Sequence, residues 1–199
     1  MRFLPLIIFA LLCGLLLMQI TAPPESLQGP SQEEIASWPV GKQVPRILLP
    51  LVPKEPTAPS VASMPLNFAQ AGVAQKGGYL INLFASWCQP CVAEMPHLQK
   101  LSKEHGVVIV GVAWKDSPQA LSTFFKRYGR PFAQVLLDVD GKAITEFGST
   151  AIPETFLVDS TGVIRKRYRG NLQPRHVEEI TQALEEFAKE NPSSATKAE

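Results

Sequence analysis

Trp87-Cys88-Gln89-Pro90-Cys91 places two thiols three residues apart, with no charged residue between them. If the first thiol stands at a helix start, the free N–H groups and the positive end of the helix dipole stabilise its thiolate. In extreme cases such surroundings take a cysteine pKa from about 8.5 to about 3.5. Cys88 therefore reads as the attacking thiol. Cys91, one turn further on, reaches the same sulfur and resolves a mixed disulfide, so the pair cycles between dithiol and disulfide. Pro90 offers no N–H to the thiolate and neither Gln89 nor Pro90 is cationic, which points to a reductant rather than a strong oxidant.

Other uses of the pair fit less well. A zinc site needs four ligands, and only His97 and His105 lie nearby, at a spacing wider than zinc-binding histidine pairs use. Covalent haem attachment requires histidine where Val92 stands. A purely structural disulfide closes too short a loop to stabilise much through chain entropy. Thiol chemistry here needs no metal and no dissociable cofactor.

The surrounding pattern supplies the elements that hold such a motif. Tyr79–Ala85 is an apolar, strand-length run, Cys91–Glu104 is helical in pattern, and Val107–Ala113 is a second apolar strand. Strand, helix, strand implies a parallel pair with a right-handed crossover. Ser117 as cap and Pro118 at the first position start a second helix, to Tyr128. Short strands follow at 134–138, 154–158 and 163–169, the last two joined by a turn over 159–162, where Gly162 supplies a positive backbone angle. A closing helix from Pro174 buries Val177, Ile180, Leu184 and Phe187. This is the thioredoxin-like α/β arrangement, a central mixed sheet flanked by helices, over residues 44–190.

Outside that domain, composition sets the layout. Of 18 prolines, ten fall between Pro23 and Pro65, a concentration foreign to a packed core. Residues 3–20 carry no charge and would span about 27 Å as a helix, just enough for a bilayer. Arg2 precedes them and the next basic residue is Lys42, so residues 1–22 read as one transmembrane anchor with a cytoplasmic N-terminus. The competing reading is a signal peptide cleaved after Ala22, which Pro23 and Pro24 disfavour. Cys13 reads as an apolar residue of the anchor. Residues 23–43 form a proline-rich tether, Val44–Val52 an edge segment docking on the domain, and 191–199 a polar tail. With 19 basic and 18 acidic side chains, no excess of positive charge invites nucleic acid.

WCQPC, Trp114-Lys115-Asp116, Asp138-Val139-Asp140-Gly141 and Ala151-Ile152-Pro153-Glu154-Thr155-Phe156-Leu157-Val158-Asp159 together resemble the CcmG/DsbE family, membrane-anchored thiol-disulfide oxidoreductases of cytochrome c maturation. The resemblance runs from about Gly41 to Glu186. It implies a periplasmic domain on the bacterial inner membrane that reduces apocytochrome c, with electrons from a membrane thiol-disulfide transporter. It also implies a cis Pro153 facing the cysteines, substrate contacts from Trp87, Ile152 and Pro153, and an acidic site in which Glu94 and Glu154 flank the cysteine pair. Two further readings stay open: a general extracytoplasmic thiol reductase of ResA/TlpA type serving another cysteine-containing protein such as a copper-site assembly factor, and a module that binds apocytochrome without turnover. Asn82 stands where cytosolic thioredoxins carry a buried acid, and Trp114 where the family leads one to expect tyrosine. His97 reads as an ordinary helix residue.

Overall fold

In the computed structural model, which describes residues 39–54, 63–65 and 77–190, two short strands, Leu48–Pro50 (β1) and Ser63–Pro65 (β2), pair antiparallel. After them come β3 (Gly78–Phe84), α1 (Gln89–Lys103), β4 (Ile109–Trp114), α2 (Pro118–Tyr128) and β5 (Gln134–Asp138). The chain continues through α3 (Lys142–Glu146), β6 (Glu154–Asp159), β7 (Ile164–Arg169) and α4 (Pro174–Glu190). The main sheet has the order β5-β4-β3-β6-β7. β3, β4 and β5 run parallel, and β6 and β7 are antiparallel to their neighbours.

Burial explains why β3 is central. Every one of its residues is buried, because both faces are covered. Leu80 and Phe84 face one core with Met95 and Leu98 of α1, Leu121 and Phe124 of α2, and Val177, Ile180 and Leu184 of α4. Tyr79, Ile81 and Leu83 face the other, closed by Ile144 of α3 and by Val44, Ile47 and Leu49. Each fully buried aliphatic or phenyl side chain contributes roughly 1.5–3 kcal/mol. Gly111 on β4 permits the close stacking of Phe84 and Phe132, whose ring centroids are 4.6 Å apart; a Cβ there would meet the Phe84 ring at 2.8 Å.

The helices begin where the sequence signals them. The Ser117 hydroxyl accepts a hydrogen bond from the Ala120 N–H at 3.2 Å and caps α2, a contact worth about 1 kcal/mol. α4 buries Val177, Ile180, Leu184 and Phe187, the four residues its periodicity singles out. Short α3 has no such signal in the sequence. It starts after Gly141, and the Ile144 N–H donates to the Asp138 carboxylate at 3.1 Å.

The segment 44–52 crosses the second face of the sheet from edge to edge. It begins beside β7, where Gln43 bridges Val163, and ends beside β5, where Leu51 bridges Leu136. Pairing with the main domain starts before residue 44: Gly41 N–H donates to Ile164 O at 2.7 Å, and Ile164 N–H to Lys42 O at 2.9 Å. The last residues of the expected 23–43 tether thus belong to the fold. The anchor at 1–22, most of the tether and the tail at 191–199 lie outside the described residues. Among the described residues no helix is long and apolar enough to cross a membrane.

Candidate active site

The redox pair sits at the corner between β3 and α1. Cys88 N–H donates to Ala85 O at 3.2 Å, closing a turn over Ser86 and Trp87. Cys88 is the N-cap of α1, and its Sγ accepts from the Cys91 N–H at 3.2 Å. That donor is oriented to stabilise a thiolate when the bond is reduced. Cys88 and Cys91 are joined as a disulfide. Cys88 is 5% exposed and Cys91 1%, so the first is the more exposed residue of the pair. Beside it Trp87 stands 57% exposed. A shallow groove leads away between α1 and α2, lined by Trp87, Gln89, Val92, Phe124 and Tyr128.

Opposite the corner, the Ile152–Pro153 peptide bond is cis, and the Ile152 carbonyl oxygen lies 4.0 Å from Cys88 Sγ. Half-buried Ile152 therefore borders Cys88 Sγ and leads through Pro153 into β6.

Glu94 lies one turn beyond Cys91 on α1 and is completely buried. Its Oε1 accepts from Asn82 Nδ2 at 2.9 Å and its Oε2 from the Leu172 N–H at 3.1 Å. Asn82 Nδ2 also donates to Thr155 Oγ1 at 3.0 Å. Burial pushes the Glu94 carboxyl up to about 7, against the smaller opposing effect of these two donors. A carboxyl poised there can take or return a proton near neutral pH. The Leu172 donor belongs to the loop between β7 and α4, and the same loop holds the proline: Gly170 N–H donates to Pro153 O at 3.0 Å.

Glu154 does not join this site, which corrects the expectation that both acids flank the cysteines. Asn82 pairs with Thr155 across β3 and β6, and Leu83 pairs with Glu154. Side chains alternate along a strand, so Thr155 faces α1 with Glu94 while Glu154 points to the opposite face. There Arg167 Nη2 donates to both Glu154 oxygens at 2.9 and 2.8 Å, Arg169 Nε lies 3.7 Å away, and the Ser149 hydroxyl donates to Oε2. Arg167 also donates to Gly148 O at 3.1 Å. Glu154 thus fastens the loop that precedes the cis proline.

His97 is half-buried on α1, and its Nδ1 has no hydrogen-bond partner among the described residues. Among the described residues no group of three or more His, Cys, Asp and Glu is placed to hold a metal ion. Ser86 was missed in the sequence. Its backbone N–H and hydroxyl both donate to Asp116, a tertiary contact over 30 positions that no local signal marks.

The Redoxin family model matches residues 39–184. The thiol:disulfide interchange protein DsbE of Escherichia coli K12 is 36% identical over 188 residues, spanning 94% of each chain. The chain belongs to the DsbE family. A second DsbE, from Allochromatium vinosum, is 44% identical over 92 residues, or 46% of this chain and 50% of that one. Among solved structures, a putative thioredoxin from Neisseria meningitidis superposes with a TM-score of 0.58 at 26% identity, covering 76% of this chain and 96% of its own. A putative DsbE from Chlorobium tepidum shares the fold, with a TM-score of 0.57 at 21% identity over 74% of this chain and 96% of its own. This DsbE-family chain is a thiol-disulfide oxidoreductase acting through a Cys-x-x-Cys pair in a thioredoxin-like fold.

Proposed function

We propose that the chain is a periplasmic reductase, held at the bacterial inner membrane by residues 1–22, that opens the disulfide of apocytochrome c before haem attachment. The observation that carries this reading is the likeness to DsbE over 94% of both chains, joined to a Cys88 sulfur that faces the Ile152 carbonyl. The Cys88 thiolate attacks one substrate sulfur, forming a mixed disulfide and releasing the other substrate sulfur as a thiolate. Cys91 then passes its proton to Glu94 and attacks Cys88 Sγ, expelling the second substrate thiolate. Two electrons reach the substrate, Cys88–Cys91 is left oxidised, and a membrane thiol-disulfide transporter restores the dithiol.

Substrate polypeptide lies along Ile152 as a short added strand, with Trp87 and Pro153 on either side of the reacting sulfur. Pro90 withholds one N–H from the Cys88 thiolate, which favours the reductant direction. The test is a trapped intermediate: Cys91→Ala, purified from cells, keeps the mixed disulfide on Cys88. Recovery of c-type apocytochromes upholds the reading. Capture of a different secreted thiol protein, such as a copper-site assembly factor, replaces it with a general thiol reductase. If the Cys88→Ala, Cys91→Ala double variant still matures cytochrome c, the chain binds its partner without turnover.

A further inference from the structure

We propose that Asp116 is a positioning residue for thiol exchange, latching the Ser86–Trp87 turn so that Cys88 Sγ is presented in one orientation with Trp87 fixed beside it. β3 and β4 are parallel neighbours whose ends are in register at Phe84 and Ala113, so the loops that follow them meet. The Asp116 carboxylate lies in the second loop and grips the first. Its Oδ2 accepts from Ser86 N–H at 2.6 Å, and its Oδ1 from the Ser86 hydroxyl at 2.9 Å and from Ser117 N–H at 2.7 Å. One carboxylate therefore ties the corner before Cys88 to the cap of α2. Hydrogen bonds to an ionised acceptor are roughly twice as strong as neutral ones.

The backbone beside it supplies the second half of the latch. Lys115 has φ 46°, a left-handed conformation that no other non-glycine residue adopts among the described residues. Non-glycine residues hold that conformation where their surroundings over-determine it. In this turn the Lys115 carbonyl accepts from Trp87 Nε1 at 3.1 Å, and the Trp87 ring packs on Trp114 with centroids 5.8 Å apart. Trp87 remains exposed on its outer side, so the latch fixes a docking surface without covering it.

The strands are already paired, and Ser117 already caps α2. What the Asp116 contacts determine is the direction of the peptide two residues before the attacking sulfur. The inference rests on disulfide exchange alone and not on the identity of the substrate, so insulin serves as the probe disulfide. With dithiothreitol as the electron donor that restores the dithiol, Asp116→Ala should lower kcat/KM for insulin reduction by about 10- to 100-fold, the scale of a misplaced reacting group. Trp87 is now held less firmly, so its indole N–H, followed by ¹⁵N NMR, should exchange with solvent about tenfold faster. Asp116→Asn, which keeps one acceptor oxygen, should fall between Asp116→Ala and the parent chain in both measurements. Ser86→Ala, which removes only the hydroxyl contact, should lose about threefold in rate. Asp116→Asn and Ser86→Ala carry the test if Asp116→Ala fails to fold. A folded Asp116→Ala with kcat/KM within about twofold of the parent overturns the proposal, as do Asp116→Asn and Ser86→Ala both within that range where Asp116→Ala does not fold. So does a loss of rate that leaves Trp87 indole exchange unchanged.

Discussion

Glu94 and Glu154 are carboxyl groups buried on opposite faces of one sheet, and their neighbours give them opposite characters. Glu94 points inward from α1 and has an amide, a backbone N–H and no ion pair among the described residues; desolvation prevails, and the carboxyl reaches about 7. Glu154 meets a guanidinium head-on, with both side chains 5% exposed, and works as a structural rivet behind the proline loop. Burial alone therefore does not mark an acid for proton transfer. What separates the two is whether a cation accompanies the carboxylate into the interior.

Replacing each partner in turn should break the symmetry between the faces. The largest effect is expected for Arg167→Leu, which strands the Glu154 carboxylate. Urea denaturation at pH 8 should show a loss of about 3 kcal/mol, tempered by Arg169 nearby. Glu94→Gln should act the other way. Between about 4.5 and about 7 the native Glu94 holds a proton that the unfolded chain has lost, so its stability is full below 4.5 and falls as pH rises through 7. The shift amounts to about 3 kcal/mol. Glu94→Gln should abolish that slope and be the more stable protein at pH 8, as denaturation at pH 5 and pH 8 will show.

In catalysis the same variant loses. Single-turnover resolution of the mixed disulfide should rise with pH through about 7 in the parent, while Glu94→Gln is slower by about tenfold or more and lacks that inflection. Equal pH profiles for the two would remove Glu94 from the proton path. The smallest effect should come from Ser149→Ala on the opposite face, about 1 kcal/mol of stability with an unaltered pH profile.

The sequence made the first face more legible than the second. WCQPC, the run Tyr79–Ala85 and the cap at Ser117 are local signals, and each element they announce lies within a residue or two of its expected place. Glu94 was readable as a neighbour of Cys91 because helix geometry alone fixes a separation of one turn. Glu154 was misjudged because its environment depends on the face β6 turns towards α1. That is set by its register against β3, a pairing between residues about 70 positions apart. The Asp116–Ser86 contact escaped notice for the same reason, since it exists only once β3 and β4 lie side by side. α3 carries too few residues to show a period, and β1 finds its partner across a stretch that its own composition says nothing about.

The three residues Gly170–Leu172 have a consequence for how the chain can be altered. Surface connections are ordinarily where added sequence does least harm. This one donates through Gly170 to the carbonyl of Pro153 and through Leu172 to the carboxyl of Glu94. An affinity tag or fusion inserted there would disturb the cis-proline loop and the interior acid in a single stroke, so the length of that connector is fixed from both sides.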